Sequence, residues 1–240
     1  MYFFDPSQPI LQRKQPHLDI QDLRGLIRFR WEIRSWTLLS WLYTRIDQVF
    51  LLWGWITLVI FWLPHFFPSL SWSRHASFSS CLVLIGVITM TYLSTYWGKV
   101  EGLLWVVYTW SGLMLAGVVL TDMGVFGPNP FILMNLCSIW LGLSGLGYFL
   151  TGLGLRSRTF LLAAIFHGLA IGILSLVPQL QFFITGSVIA GTLFMLADVQ
   201  WDMRPPRPSR MLSLEEQSFN QQQHQRRQQY FSDLRSRQST

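Results

Sequence analysis

Apolar stretches of about twenty residues recur along this chain, separated by short polar breaks. A bilayer core of ~30 Å is crossed by about 20 apolar helical residues, so each stretch predicts a transmembrane helix. The first runs roughly from Val49 to Phe67, with Pro64 and His65 near its far end. The second covers Ser77 to Trp97, and the third Gly102 to Thr121, bounded by Glu101 and Asp122. The fourth, Phe131 to Thr151, follows the turn-forming Gly127-Pro128-Asn129-Pro130. Thr159 to Ala197 is one uncharged run of 39 residues, roughly 58 Å at ~1.5 Å per helical residue. That is too long for one crossing and enough for two. Val177-Pro178-Gln179 predicts the break, because proline biases its predecessor away from the helix. The fold class expected is all-α: a polytopic membrane protein with six transmembrane helices.

Charge tests this pattern independently. With six crossings, every Lys and Arg except Arg74 falls on one side of the membrane. Basic loops stay in the cytoplasm, so both termini are expected there. Only 12% of the 240 residues are charged, about half the share of a soluble domain. Net charge is +6, but its place at membrane edges argues against a nucleic-acid partner. Met1 to Ile10 lacks a basic region followed by an apolar run, so no cleavable leader is expected there.

The chain thus divides into a basic, aromatic N-terminal segment (1–47), a membrane domain (48–200) and a Pro/Arg/Gln-rich tail (201–240). In the first, Arg24, Arg28, Arg30 and Arg34 mix with Leu23, Leu26, Ile27, Ile33 and Trp36. This predicts an interfacial helix on anionic lipid headgroups, with imperfect amphipathicity at Arg30 and Arg34, or a solvated basic lead-in. In the tail, Arg204-Pro205-Pro206-Arg207-Pro208 reads as an extended spacer. Ser213-Leu214-Glu215-Glu216 reads as a capping box opening a short helix. Gln217 to Gln229 has little to bury and is expected to fray when alone, with Tyr230, Phe231 and Leu234 as partner anchors.

His167 is the leading cofactor candidate. It sits near mid-span, where ionisable residues are rare and often functional, and could ligate haem or chlorophyll. No second histidine shares its depth, so a hydrogen bond between helices is the plainer role. Ser138 with Gly142, Gly168 with Gly172, and Gly186 with Ala190 have the spacing of helix-packing seams. Lys99, Arg156, Arg158 and Asp198 form a cytoplasmic charge cluster, in which Lys99 or Arg156 would pair with Asp198. Asn135 could join helices or line a path. His65, His75 and Asp122 lack metal-ligand spacing, and Cys81 and Cys137 read as buried thiols. Asp122 and Asp198 close the third and sixth spans without a supporting repeat around them.

No nucleotide-binding, Cys-x-x-Cys or His-Glu-x-x-His motif is present, so no catalytic residue is assigned. The expected function is therefore non-enzymatic: an accessory, scaffold or assembly subunit with a membrane-protein partner and basic cytoplasmic docking ends. Transport of a small solute or lipid is the second reading, and pigment or haem binding at His167 the third. The expected location is a bacterial inner membrane, or alternatively a thylakoid membrane.

Overall fold

The computed structural model describes residues 3–4, 8–14, 17–33 and 36–238; side chains at 29–41 and 230–238 lie outside that description. The fold is all-helical with few strands. Five helices are long and apolar enough to cross a membrane: α2 (Arg45–Phe66), α3 (Trp72–Glu101), α4 (Leu104–Val125), α6 (Leu136–Leu155) and α8 (Gln181–Asp198, preceded by a 3-10 turn at Pro178–Leu180). Between α6 and α8 lies α7 (Arg158–Leu174), apolar but only 17 residues long. The long run does break at Pro178, as its length and proline require. The fourth expected span is divided: α5 (Pro130–Met134) ends at Asn135, and α6 begins beyond it.

Local chemistry sets the helix ends. Thr44 and Asp47 form a reciprocal capping box that starts α2. Gly102, at φ 66°, closes α3 in the left-handed conformation that glycine tolerates. In the bundle, α2 packs on α8 and α3, while α6 packs on α7 and α4. The opposite faces carry exposed Trp55, Ile88, Tyr92, Phe131 and Leu169, the apolar exterior suited to lipid.

The terminal segments cover one end of this bundle. The strand β1 (Leu11–Arg13) pairs antiparallel with β4 (Val199–Trp201), directly after α8. A short helix α1 (Ile20–Leu23) precedes an antiparallel hairpin, β2 (Ile27–Ile33) and β3 (Trp36–Tyr43). The expected interfacial helix is therefore replaced by a hairpin. Ile27, Phe29, Trp31 and Ile33 alternate with Arg28, Arg30 and Glu32, the two-residue period of a strand. The tail forms α9 (Leu214–Gln238), a longer helix than its composition suggested. Its capping box forms, with Ser213 N–H donating to Glu216 at 2.7 Å and Glu216 N–H donating to Ser213 at 3.2 Å. The proposed anchors Tyr230, Phe231 and Leu234 have side chains outside the described residues.

Candidate functional site

Two adjacent features define the site: a thin apolar crevice inside the bundle and a more polar vestibule under the terminal cap. The crevice has a volume of about 130 Å³ and is walled mainly by α2, α3, α4 and α6. On α2 its wall runs from Ile46 to Phe61 at spacings of three and four residues, one helical face. That stretch is about 22 Å long at 1.5 Å per residue. Spread over such a length, the volume is a slot rather than a rounded chamber. Trp53, Trp97, Trp110, Trp140 and Tyr148 supply most of its aromatic surface, with Ser94 and Ser144 among the few polar groups.

Two walls are locked by a reciprocal contact. Trp110 on α4 lies against Gly147 on α6 and donates its indole N–H to Thr151 at 2.9 Å. Trp140 on α6 lies against Gly117 on α4 and donates to Thr121 at 3.1 Å. Each threonine hydroxyl in turn donates to its own glycine's carbonyl, at 2.7 Å for Gly147 and 2.8 Å for Gly117. Glycine is required here, since a Cβ would stand 2.6 Å from the Trp110 ring at Gly147 and 2.7 Å from the Trp140 ring at Gly117. The signal was present in the sequence as Trp-x6-Gly-x3-Thr, repeated at Trp110 and Trp140.

The vestibule has a volume of about 100 Å³ and shares Ile46, Trp97 and Trp201 with the crevice, so these three side chains form the partition. Its polar wall comes from segments far apart in sequence. Lys14 pairs with Asp47 at 2.6 Å and donates to the Leu42 carbonyl at 3.0 Å and the Ala197 carbonyl at 2.5 Å. Arg227 on α9 pairs with Asp19 at 3.0 Å. Beside the vestibule, outside its lining, Asn220 on α9 accepts from the Ile20 N–H at 2.8 Å and donates to Gln21 at 2.9 Å; Gln21 donates to Glu101 at 2.8 Å. Burial raises the carboxyls of Asp19 and Asp22, with Arg227 opposing the effect. Asp22 is pushed to about 8 by burial and by the nearby Asp19, Glu101 and Asp47.

The same cap answers the helix dipoles at this end of the bundle. Arg204 donates to the Gly154 carbonyl at 2.9 Å and the Glu101 carbonyl at 2.5 Å, placing a cation at the ends of α6 and α3. Lys14 does this for α8. Asp202 takes the N–H groups of Arg158 and Thr159 at 3.0 and 3.1 Å, the start of α7, and also pairs with the Arg158 side chain at 3.0 Å. Burial alone would raise Asp202, but the bonds from Arg158 and Thr159 outweigh it and hold the carboxyl below its ordinary value.

The sequence-derived sites fall in different places. Asp198 accepts from the Tyr43 hydroxyl at 3.1 Å, not from the expected Lys99 or Arg156. Arg156 instead lies over the Phe3 ring, and Arg158 goes to Asp202. The chain leaves α8 at Asp198 into the β1–β4 pairing, which puts Asp202, not Asp198, at the start of α7. His167 is fully buried outside the crevice wall, with Nδ1 bonded to the Ala163 carbonyl at 2.8 Å and its ring 4.9 Å from Tyr148. Its contacts are with its own helix, the Tyr148 ring and the backbone at Gly145 of α6, and its buried Nε2 has no hydrogen-bond partner among the described residues.

A Cβ at Gly168 or Gly172 would meet nothing within 4 Å, so that expected seam lacks a close neighbour. Gly142 meets only the Ile171 tip at 4.0 Å, whereas Gly186 backs onto Phe61 and Trp62 at 2.7 and 3.0 Å, and Ala190 is buried. Ser138 is half-buried on α6. Asn135 donates to the Phe131 carbonyl at 2.8 Å, satisfying its amide locally rather than lining the crevice. Cys81 is exposed, correcting its buried reading, while Cys137 is buried. At the end of the bundle away from the cap His75 bonds the Ile60 carbonyl at 2.9 Å, and Ser80 donates to Asp122 at 3.0 Å. Among the described residues, no group of His, Cys, Asp or Glu is arranged to hold a metal ion. Comparison with protein-family models, curated proteins and solved structures finds no match to this chain.

Proposed function

We propose that this is a non-enzymatic integral membrane protein that crosses the bilayer six times and serves as an accessory or assembly subunit through a cytoplasmic cap. The supporting observation is the antiparallel pairing of Leu11–Arg13 with Val199–Trp201, which joins the chain on either side of the bundle. Ends joined this way share one face, as an even number of crossings requires. The α7 helix, at 17 residues, meets the lower length for a crossing.

The cap leaves Arg13, Arg24, Arg28, Arg207, Arg210 and Arg226 exposed. Those guanidiniums suit an acidic surface on a membrane-protein partner or the anionic cytoplasmic leaflet. Replacing Arg207, Arg210 and Arg226 together by Gln tests the docking role, because none carries the cap's internal bonds to Asp19 or Asp202. Crosslinking in native membranes should lose the partner while insertion persists. Partner capture equal to wild type would contradict it.

The crevice supports a second reading, handling of an apolar or lipid molecule. An ionic solute would need charged or polar groups along its path, and the intramembrane crevice is mainly aromatic and aliphatic. We favour a lipid-like occupant over a hydrophilic one for that reason.

A further inference from the structure

We infer that the cap-end rim of α3 holds the headgroup of an anionic phospholipid, with one acyl chain lying along the exposed face of that helix. This rests on the reading of a basic cap docked on an anionic surface, and it assigns one part of that surface to lipid. The chain side of the site is a continuous stripe. Ile85, Ile88 and Tyr92 are exposed and recur at three and four residues, one face of α3. Tyr96 and Lys99 continue the same face to the end of the helix. Ile85 to Tyr96 spans about 16 Å at 1.5 Å per residue. That is close to half of a ~30 Å bilayer core, the depth of one acyl chain in one leaflet. A partner helix docks through small residues that let backbones approach. This stripe is bulky instead, which suits fluid chains.

Positive charge gathers where the stripe ends. The Arg24 guanidinium lies 4.1 Å over the Tyr96 ring. Stacking engages its face and leaves its edge N–H groups for a bidentate acceptor such as a phosphate. The next residue, Gly25, packs against Arg45, since a Cβ there would stand 2.5 Å from Arg45 Nε. The Gly25 carbonyl accepts from Gln48 at 2.7 Å, which fixes this loop on the first turn of α2. Lys99 is exposed one turn beyond Tyr96. Among the described residues, Arg24, Arg45 and Lys99 form no ion pair. The cap's own acids are answered by other cations: Asp47 by Lys14, Asp19 and Asp22 by Arg227, and Glu101 by Arg204 and Arg207. The three rim cations are left for an anion from outside the chain. A phosphodiester at headgroup level brings that charge together with the hydrocarbon the stripe requires.

The test uses the full-length protein in phosphatidylcholine nanodiscs carrying a trace of a photoactivatable lipid. One probe is phosphatidylglycerol with a diazirine in its acyl chain; the other is phosphatidylcholine with the same chains. Labelled residues are mapped by peptide mass spectrometry, and the phosphatidylglycerol-to-phosphatidylcholine ratio is read at Ile85, Ile88 and Tyr92. Each basic residue near the surface is worth about fivefold for an anionic headgroup, so the wild-type ratio should exceed about ten. Arg24→Gln and Lys99→Gln should each lower it about fivefold. Labelling of exposed Leu169 on α7 by the phosphatidylcholine probe should stay unchanged, which reports that the variants remain folded in the disc.

A wild-type ratio near one on α3 would overturn the lipid site, and so would variants that keep the wild-type ratio. Label at Leu169 but none on α3, with either probe, would mean that a second copy of the protein covers the stripe, which also overturns it. If a variant fails to assemble, the wild-type contrast between the two lipids decides the proposal. The docking reading is tested separately by crosslinking with Arg207, Arg210 and Arg226 replaced, so it stands or falls apart from this result.

Discussion

Trp110 donates its indole N–H to Thr151 across 2.9 Å while its ring rests where a Gly147 side chain would stand. The mirror contact, Trp140 with Thr121 and Gly117, makes α4 and α6 each both donor and socket. This pairing gives the crevice two rigid aromatic walls without charged groups in the membrane. Interhelical hydrogen bonds in a bilayer contribute modestly, so close ring-to-backbone packing carries the larger part.

Filling the socket should be far more damaging than removing its hydrogen bond. Gly147→Val should leave little assembled protein, because the added carbons collide with the Trp110 ring. Thr151→Val should retain the fold and lose about 0.6 kcal/mol, the average interhelical hydrogen-bond contribution measured in a membrane protein. Thermal unfolding in detergent micelles, followed by size-exclusion recovery, separates the two outcomes. Equal loss from both substitutions would contradict the socket.

Lys14 should be the most sensitive basic residue of the cap. It joins Asp47 at the start of α2 to the last carbonyls of α8, and both side chains are largely buried. Lys14→Met should destabilise the protein by about 3–5 kcal/mol, because it strands a buried carboxylate. Lys14→Met combined with Asp47→Asn should recover a substantial part of that loss. Detergent unfolding midpoints of the single and double variants provide the check.

Two cap carboxylates should impose opposite pH dependences. Asp22 is raised to about 8 from 3.8, so the folded state binds its proton more strongly. Its favourable contribution is complete below the unfolded value and is lost as pH rises towards the folded value. Asp19, Glu101, Asp47 and Arg227 are the charged groups acting on it. Asp202 is lowered, so its contribution is present above 3.8 and is lost as pH falls through the folded value. Asp22→Asn should therefore flatten the fall in cap protection between about pH 4 and 8. Amide exchange at Gln21 and Asn220, read against pH, checks the prediction; an unchanged slope would contradict it.

Five long apolar helices were legible because length and apolar composition are properties of single segments. Pro178 is an equally local signal, and so is the Ser213–Glu216 cap. The β2–β3 hairpin was also written locally, in the alternation from Ile27 to Ile33, but its arginines favoured an interfacial-helix reading. The repeated Trp-x6-Gly-x3-Thr pattern was visible too, though its meaning depends on two helices lying antiparallel. The vestibule was less accessible to sequence reasoning. Arg227 meets Asp19 across 208 residues, and Lys14 meets the Ala197 carbonyl across 183. Neither pairing has a spacing signature. His167 showed the reverse problem: its depth was legible, but its contact with Ala163 required the helix geometry.

The most direct measurement of the six-crossing account is single-cysteine labelling from each side of the membrane. Cysteines would be introduced at Ser69, Gly127, Gln179 and Ser213 in a chain lacking Cys81 and Cys137. A membrane-impermeant maleimide should reach Ser69→Cys, Gly127→Cys and Gln179→Cys from outside, and Ser213→Cys only from the cytoplasmic face. Cytoplasmic labelling at Gln179→Cys would mean that α7 and α8 do not form the last two crossings, contradicting the account.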